Sequence, residues 1–234
     1  AQTSPREVMA IEGVDIVIGT QGREKILDYI ERYRRERQPI NAVGNIMKTR
    51  QFEDLDVPSF SQRTRAYLKI QDGCNNFCTF CIIPWARGLL RSRPPESVLN
   101  QARKLVASGY QEIILTGIHT AGYGEDLEDY SFARLLADME MIEGLKRLRI
   151  SSIEASQITD EVLDVLKHST KICRHLHIPL QAGDDEVLKR MRRKYTTAEY
   201  KAKIDQVRQV LPHLALTSDV IVGFPGETEE QFMN

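Results

Sequence analysis

Three of the four cysteines in this 234-residue chain, Cys74, Cys78 and Cys81, fall within eight residues. They sit in the segment Gly73-Cys74-Asn75-Asn76-Phe77-Cys78-Thr79-Phe80-Cys81. Thiolates spaced Cys-x3-Cys-x2-Cys can wrap one corner of a cubic iron–sulfur cluster. A 4Fe-4S cluster normally takes four thiolates, so three would leave one iron open, as a catalytic zinc keeps a free position. An open iron can chelate a ligand, which suits chemistry better than simple electron transfer. The bland alternative is a zinc ribbon, which offers a second Cys-x2-Cys or Cys/His pair. No second pair follows here, and the nearest histidine downstream is His119. The isolated Cys173 reads as a small buried hydrophobe. His119, His175 and His177 could act as bases, but lone histidines are more often structural.

The cysteine loop follows the first of a series of alternating strands and helices. Strands are predicted at Ala66–Ile70, Glu112–Thr116, Arg147–Ser152, His175–Pro179 and Ala215–Val222. Helices are predicted at Pro95–Ser108, Phe132–Met141, Asp160–Lys167, Asp185–Arg192 and Thr197–Val210, with another opening at Glu227. Pro95 and Gly109 bracket one helix in the Pro-first, Gly-last order, and Thr159 or Ser156 could cap another. Such alternation implies an α/β fold with a parallel sheet, open or curled into a barrel. Its ligands belong at the C-terminal ends of the strands. Gly117 follows the second strand, Gln181 and Gly183 the fourth, and Gly223-Phe224-Pro225-Gly226 the fifth.

Upstream, Val14–Ile18 reads as a short strand and Ile26, Leu27, Ile30 and Tyr33 recur at helical spacing. Pro39 through Pro58 reads as connecting chain. This first unit is too small to build a sheet alone.

Thirty-two basic against thirty-three acidic residues give a net charge of −1, with 41% hydrophobic and 28% charged residues. That is an ordinary globular composition. It excludes a binder working through net charge alone, but leaves local patches open. Residues 186–208 carry eight basic and three acidic side chains, and residues 124–143 seven acidic and one basic. The basic set could meet nucleic-acid phosphates or be a solvated helix face. Arg87, Arg91 and Arg93 flank the cysteine loop and could steer an anionic substrate. No apolar run approaches the roughly 20 residues of a membrane span, so no membrane partner is expected. Clustered thiols indicate a reducing, cytoplasmic compartment. The chain opens on Ala1 and closes inside a helical pattern, which reads as a piece of a longer protein.

Cys74-x3-Cys78-x2-Cys81, with Phe80 before the third cysteine, resembles the signature of the radical S-adenosylmethionine superfamily. The longer string from Gly73 to Pro84, with Arg87-Gly88 and Ser92-Arg93, resembles the methylthiotransferase family. So do residues 175–183 and 219–229. Residues 115–126, Ser151-Ser152-Ile153-Glu154-Ala155 and residues 84–88 are similar to the branch that modifies threonylcarbamoyladenosine in tRNA.

The resemblance implies a partial radical-SAM (βα) barrel at 61–234, lacking its last βα unit. It implies a remnant of a small N-terminal α/β domain at 1–60. Cys74, Cys78 and Cys81 would hold a 4Fe-4S cluster whose open iron binds S-adenosyl-L-methionine, with Phe80, Gly117, Gln181 and Gly223 near that cofactor. One electron, from a donor such as flavodoxin or ferredoxin, would cleave the sulfonium to a 5′-deoxyadenosyl radical. That radical would abstract hydrogen from adenine C2, where sulfur and methyl are installed. The family's auxiliary 4Fe-4S cluster uses three further cysteines absent from residues 1–60, and is expected only in the full-length protein. The alternatives are a methylthiotransferase for isopentenyladenosine or ribosomal protein S12, or a non-catalytic zinc and RNA-binding module.

Overall fold

The computed structural model describes residues 1–55 and 64–234. The domain boundary expected at residues 60–61 lies outside the described residues.

The first unit opens with α1 (Pro5–Met9), β1 (Ile16–Ile18), α2 (Ile26–Glu36) and β2 (Ile40–Ala42). β1 and β2 pair in parallel, Ile16 opposite Ile40. The stretch read as connecting chain from Pro39 therefore contains a strand; three residues are too few to show a period of two. Arg37 closes α2 in the left-handed region, φ 53°, with its N–H donating to the Tyr33 carbonyl at 2.8 Å. This is a common way to satisfy a terminal helix carbonyl.

The second unit begins with β3 (Ala66–Lys69), β4 (Gln71–Asp72), α3 (Ile83–Arg87), β5 (Arg91–Ser92) and α4 (Pro95–Ala107). β6 (Glu112–Thr116), α5 (Phe132–Glu140), β7 (Arg147–Ile150) and α6 (Asp160–His168) follow. The last elements are β8 (His175–His177), α7 (Asp185–Arg190), α8 (Thr197–Val210), β9 (Ala215–Thr217) and α9 (Glu229–Met233). All five predicted strands and the helices between them form. Thr159, not Ser156, caps α6, accepting from the Val162 N–H. The last helix starts after Thr228, in a capping box with Gln231, rather than at Glu227.

β3, β6 and β7 pair in parallel, with Leu68 opposite Leu115 and Ile113 opposite Leu148. A parallel bridge between Leu148 and Ile172 carries the sheet toward β8, and β8 pairs in parallel with β9. The five strands thus lie side by side in chain order, each reached through a helical crossover. The sheet is open: among the described residues β3 and β9 each pair on one side only. Strand residues Leu68, Ile113, Leu115, Leu148 and Leu176 share one core with α4, α5 and α6 through Leu105, Leu135, Leu136 and Leu163. The parallel arrangement brings the loops after all five strands to one end, where ligands bind in such sheets.

A short antiparallel ribbon, β4 with β5, sits at that end, Asp72 opposite Arg91. It and α3 escape sequence reading because each is too short to show periodicity.

Candidate metal centre

The cysteine loop leaves β4 through Gly73, whose φ is +72°. A Cβ there would lie 2.0 Å from the Leu89 carbonyl oxygen, so only glycine fits. The Cys74 N–H then donates to the Gly88 carbonyl at 3.1 Å, and Asn75 Oδ1 accepts from the Leu90 N–H at 3.0 Å. Both bonds tie the loop to the segment between α3 and β5. Phe77 adopts a φ of +50° between the first two thiols. Its ring meets Trp85 edge-on, with centroids 5.8 Å apart.

All three loop cysteines are free thiols, Cys78 buried and the other two half-buried. Two carry an N–H donor. The Asn76 N–H lies 3.4 Å from Cys74 Sγ, and Arg193 Nη1 lies 3.4 Å from Cys78 Sγ. Burial pushes the Cys74 thiol up to about 11; the Asn76 N–H pulls the other way, and Glu154 with the two other thiols adds to the rise. Cationic metal at the sulfurs would reverse that balance and hold the thiolate. Among the described residues no three His, Cys, Asp or Glu side chains converge as ligands of a single ion. Free thiols on one glycine-turned loop, N–H donors on two sulfurs and the unpartnered, buried Arg193 Nη2 fit a 4Fe-4S cluster.

Behind the loop lies a polar network in which Glu154 and Arg193 were given no role by sequence reading. Glu154, after β7, accepts from Asn76 Nδ2 at 3.1 Å and pairs with Arg193 at 2.9 Å. Burial opposes the charge on Arg193, but Glu154, Tyr195 and Cys78 together outweigh it and hold its proton more tightly than usual. His119 is buried between Asn76 and Gln157. Burial, ahead of the opposing Glu154 and Glu125 carboxylates, lowers its pKa.

The other expected residues fall at the same end of the sheet in different surroundings. Phe80 is 39% exposed, near Ile82 and Trp85, also exposed. Gly117 packs against Gln71, whose Oε1 would lie 2.8 Å from an added Cβ. Gln71 in turn donates to the Gly73 carbonyl at 2.6 Å and accepts from the His119 N–H at 2.9 Å. Gly117 thus has a packing reason, reaching the cysteine loop through Gln71. Gln181 takes a φ of +72° and bridges to Val220 beyond β9. Gly223 has a φ of +73°, and its N–H donates to Glu227 Oε2 at 2.6 Å. Their chain neighbours Ala182 and Phe224 pack in a small apolar cluster with Val187 and Leu188 of α7. The C-terminal end of α7 docks on the cysteine loop: Thr79 donates from its N–H to Met191 O and from Oγ1 to Arg190 O.

Two expectations need correction. Arg91 and Arg93 are not steering residues. Arg91 is 1% exposed, donates to the Leu89 and Arg87 carbonyls and faces Asp72 at 3.8 Å. Arg93 is buried and pairs with Asp54 at 2.6 Å. Arg87, a third exposed, also faces Asp72 at 3.8 Å. The buried Asp72 and the exposed Asp54 take up these charges, which composition alone cannot reveal. Cys173 is half-buried rather than buried; its N–H donates to the Leu148 carbonyl. His175 and His177 both meet Thr217 Oγ1 and link β8 to β9.

An open sheet of parallel strands, with three thiols on the loop after its first strand, defines an α/β protein with a candidate metal centre at the C-terminal ends of its strands. Residues 68–234 match the family model described as the radical SAM superfamily, and the chain belongs to that superfamily. Over its whole length it is 68% identical to the threonylcarbamoyladenosine tRNA methylthiotransferase MtaB of Bacillus subtilis (strain 168), covering 52% of that protein. The MtaB of Aquifex aeolicus (strain VF5) is 36% identical over 99% of the chain and 56% of its own length. A tRNA-2-methylthio-N(6)-dimethylallyladenosine synthase of Lachnoclostridium phytofermentans is 40% identical over 94% of the chain and 48% of its own length. The chain spans about half the length of these curated relatives.

Among solved structures, the radical S-adenosylmethionine methyltransferase TsrM of Kitasatospora setae, with cobalamin and a 4Fe-4S cluster bound, superposes with a TM-score of 0.57 at 20% identity. That match covers 71% of this chain and 32% of TsrM. The apo form of the cobalamin-dependent S-adenosylmethionine radical enzyme OxsB gives 0.58 at 16% identity, over 86% of this chain and 32% of OxsB. At such identities the likeness is one of fold.

Proposed function

We propose that this chain is the radical-generating part of a tRNA methylthiotransferase that converts N6-threonylcarbamoyladenosine next to the anticodon to its 2-methylthio derivative. The observation that carries the reading is the 68% identity to the Bacillus subtilis enzyme along the entire chain. Residues 61–234 form the radical SAM unit on this reading, and residues 1–60 belong to a separate N-terminal unit.

Cys74, Cys78 and Cys81 would hold the cluster, with S-adenosyl-L-methionine at its open iron. When bound, this pair supplies one-electron chemistry able to activate an unreactive C–H bond, and the cofactor a methyl group. The chain's own residues hold and shield. Gly73, Asn75 and Thr79 fix the loop, Asn76 and Arg193 donate to its sulfurs, and Phe80, Ile82 and Trp85 present apolar surface beside it. Gln181 and Gly223 would line the far side of the cofactor site. The exposed Arg192, Lys194, Lys201 and Arg208 are placed to meet tRNA phosphates. The electron would come from flavodoxin or ferredoxin, in the cytoplasm. Among the described residues no helix is long and apolar enough to cross a membrane. The chain's one cysteine outside the loop is Cys173, so an auxiliary cluster would draw its ligands from beyond these residues.

Mass spectrometry of tRNA nucleosides from a strain lacking the gene tests the reading. The methylthio-threonylcarbamoyl nucleoside should disappear and return on complementation. Loss of methylthio-isopentenyladenosine instead would transfer the protein to the dimethylallyl branch. Anaerobic reconstitution separates both from a zinc module, which would stay colourless.

A further inference from the structure

The guanidinium behind the cysteine loop is held from several sides. Arg193 Nη1 lies 2.9 Å from Glu154 Oε1 and 3.4 Å from Cys78 Sγ. Its Nε donates to Tyr195 Oη at 3.2 Å, and the guanidinium lies 5.0 Å from the Tyr195 ring centroid. The same Glu154 oxygen accepts from Asn76, midway between Cys74 and Cys78. One carboxylate therefore joins the arginine to the loop whose sulfur the arginine also touches. The side chains are only 5% and 17% exposed, so water and salt screen these charges weakly.

The fold goes to some length to deliver this side chain. α7 ends at Arg190, and Arg192 then takes a φ of +59°, a conformation uncommon for a residue with a side chain. The turn sends the Arg193 N–H back to the Leu188 carbonyl at 2.9 Å. Thr79 clamps the Arg190 and Met191 carbonyls to the cysteine loop from the other side. Arg193 Nη2 is buried without a partner. A buried donor is costly to leave unsatisfied, so an acceptor arriving with the cluster suits it.

We propose that Arg193 and Glu154 are positioning residues that set the reduction potential of the cluster, Arg193 raising it and Glu154 lowering it. The proposal rests on the reading that Cys74, Cys78 and Cys81 hold a 4Fe-4S cluster. Reduction adds one electron from an external one-electron donor and makes the cluster more negative; no bond to Arg193 forms or breaks. A nearby cation and an N–H···S hydrogen bond favour the reduced form, since cluster potentials respond to net charge, hydrogen bonds to sulfur and exposure. Glu154 offsets part of that cation's effect while keeping it in place.

The test is a potentiometric titration of the complete protein, reconstituted anaerobically with iron and sulfide and reduced with dithionite. The reduced cluster is followed by electron paramagnetic resonance and identified by its response to added S-adenosylmethionine. Arg193→Gln should lower the midpoint by a tenfold shift in the reduction equilibrium, about 59 mV for one electron. Glu154→Gln should raise it by a similar amount. Arg193→Lys, which keeps the charge but loses the planar fork, should fall between wild type and Arg193→Gln. Shifts of opposite sign are what a loss of packing would not produce. Shifts of the same sign, or none, at unchanged iron and sulfide content would overturn the proposal. Should Arg193→Gln fail to retain a cluster, Glu154→Gln and Arg193→Lys decide by the same signs. Wild-type protein that takes up no cluster would overturn the cysteine reading instead.

Discussion

Parallel strands and an amphipathic helix occur in both the N-terminal unit and the sheet from β3 to β9, yet the two are held by different forces. α2 carries Ile26, Leu27 and Ile30 but buries no residue, and Leu27 is 68% exposed. α4 and α5 instead bury whole faces, Val98, Ala102 and Leu105 on one and Phe132, Leu135, Leu136 and Met139 on the other. The main core starts at Ala66 and takes nothing from residues 1–55. Polar contacts join the first unit to the second, Thr20 Oγ1 donating to the Ala86 carbonyl and Asp54 pairing with Arg93, beside one buried apolar residue, Ile46, next to Gly88. Amphipathic spacing is thus enough to shape a helix, while stability comes from what its apolar stripe finds to cover.

The comparison breaks most completely at the thiols. Replacing Cys74, Cys78 or Cys81 by Ala should abolish cluster uptake, while Cys173→Ala should retain it; iron and sulfide analysis of reconstituted protein reads the difference. Next come two glycines with similar backbones. Gly73→Ala meets the Leu89 carbonyl, whereas Gly22, at φ +78°, has nothing within 4 Å of an added Cβ. Gly22→Ala should cost roughly 1–2 kcal/mol from backbone strain alone. Gly73→Ala should add an overpacking cost of roughly 1–3 kcal/mol and reduce iron uptake, measured by urea unfolding and metal analysis. Leu115→Ala in β6 should lose about 2–5 kcal/mol, against at most about 0.5 kcal/mol for the exposed Leu27→Ala. Equal losses would show that α2 is covered in solution. A more modest effect than that of Leu115→Ala belongs to the cap of α8. Thr196 accepts from the Glu199 N–H in a full capping box, and Thr196→Ala should cost about 1 kcal/mol.

The alternation of strands and helices was readable because each long element carries its own period. β6 and α8 fall on their expected residues. The three-residue β2, the two-residue β4 and β5, and α3 were not readable, since a period needs more residues than these elements have. The thiol ligands were legible because their chemistry and spacing are both local. Glu154 and Arg193 were hidden for the opposite reason. Nothing local separates Arg193 from Arg190, Arg192 and Lys194 around it; only the turn at Arg192 sends one of the four inward. Arg91 and Arg93 misled in the same way, looking like free cations until Asp72 and Asp54 came into contact with them.

The order of strands along the sheet also has a consequence in time. Each parallel strand pairs beside the one before it, so the sheet can grow unit by unit as the chain emerges from the ribosome. Arg193 lies 115 residues beyond Cys78, which at roughly 5–20 residues per second corresponds to an interval of about 6–23 s. Throughout that interval the three thiols are already made while the arginine that covers Cys78 is not. The nascent loop is therefore open to metal, and equally to oxidants, before the enclosure of the finished protein exists.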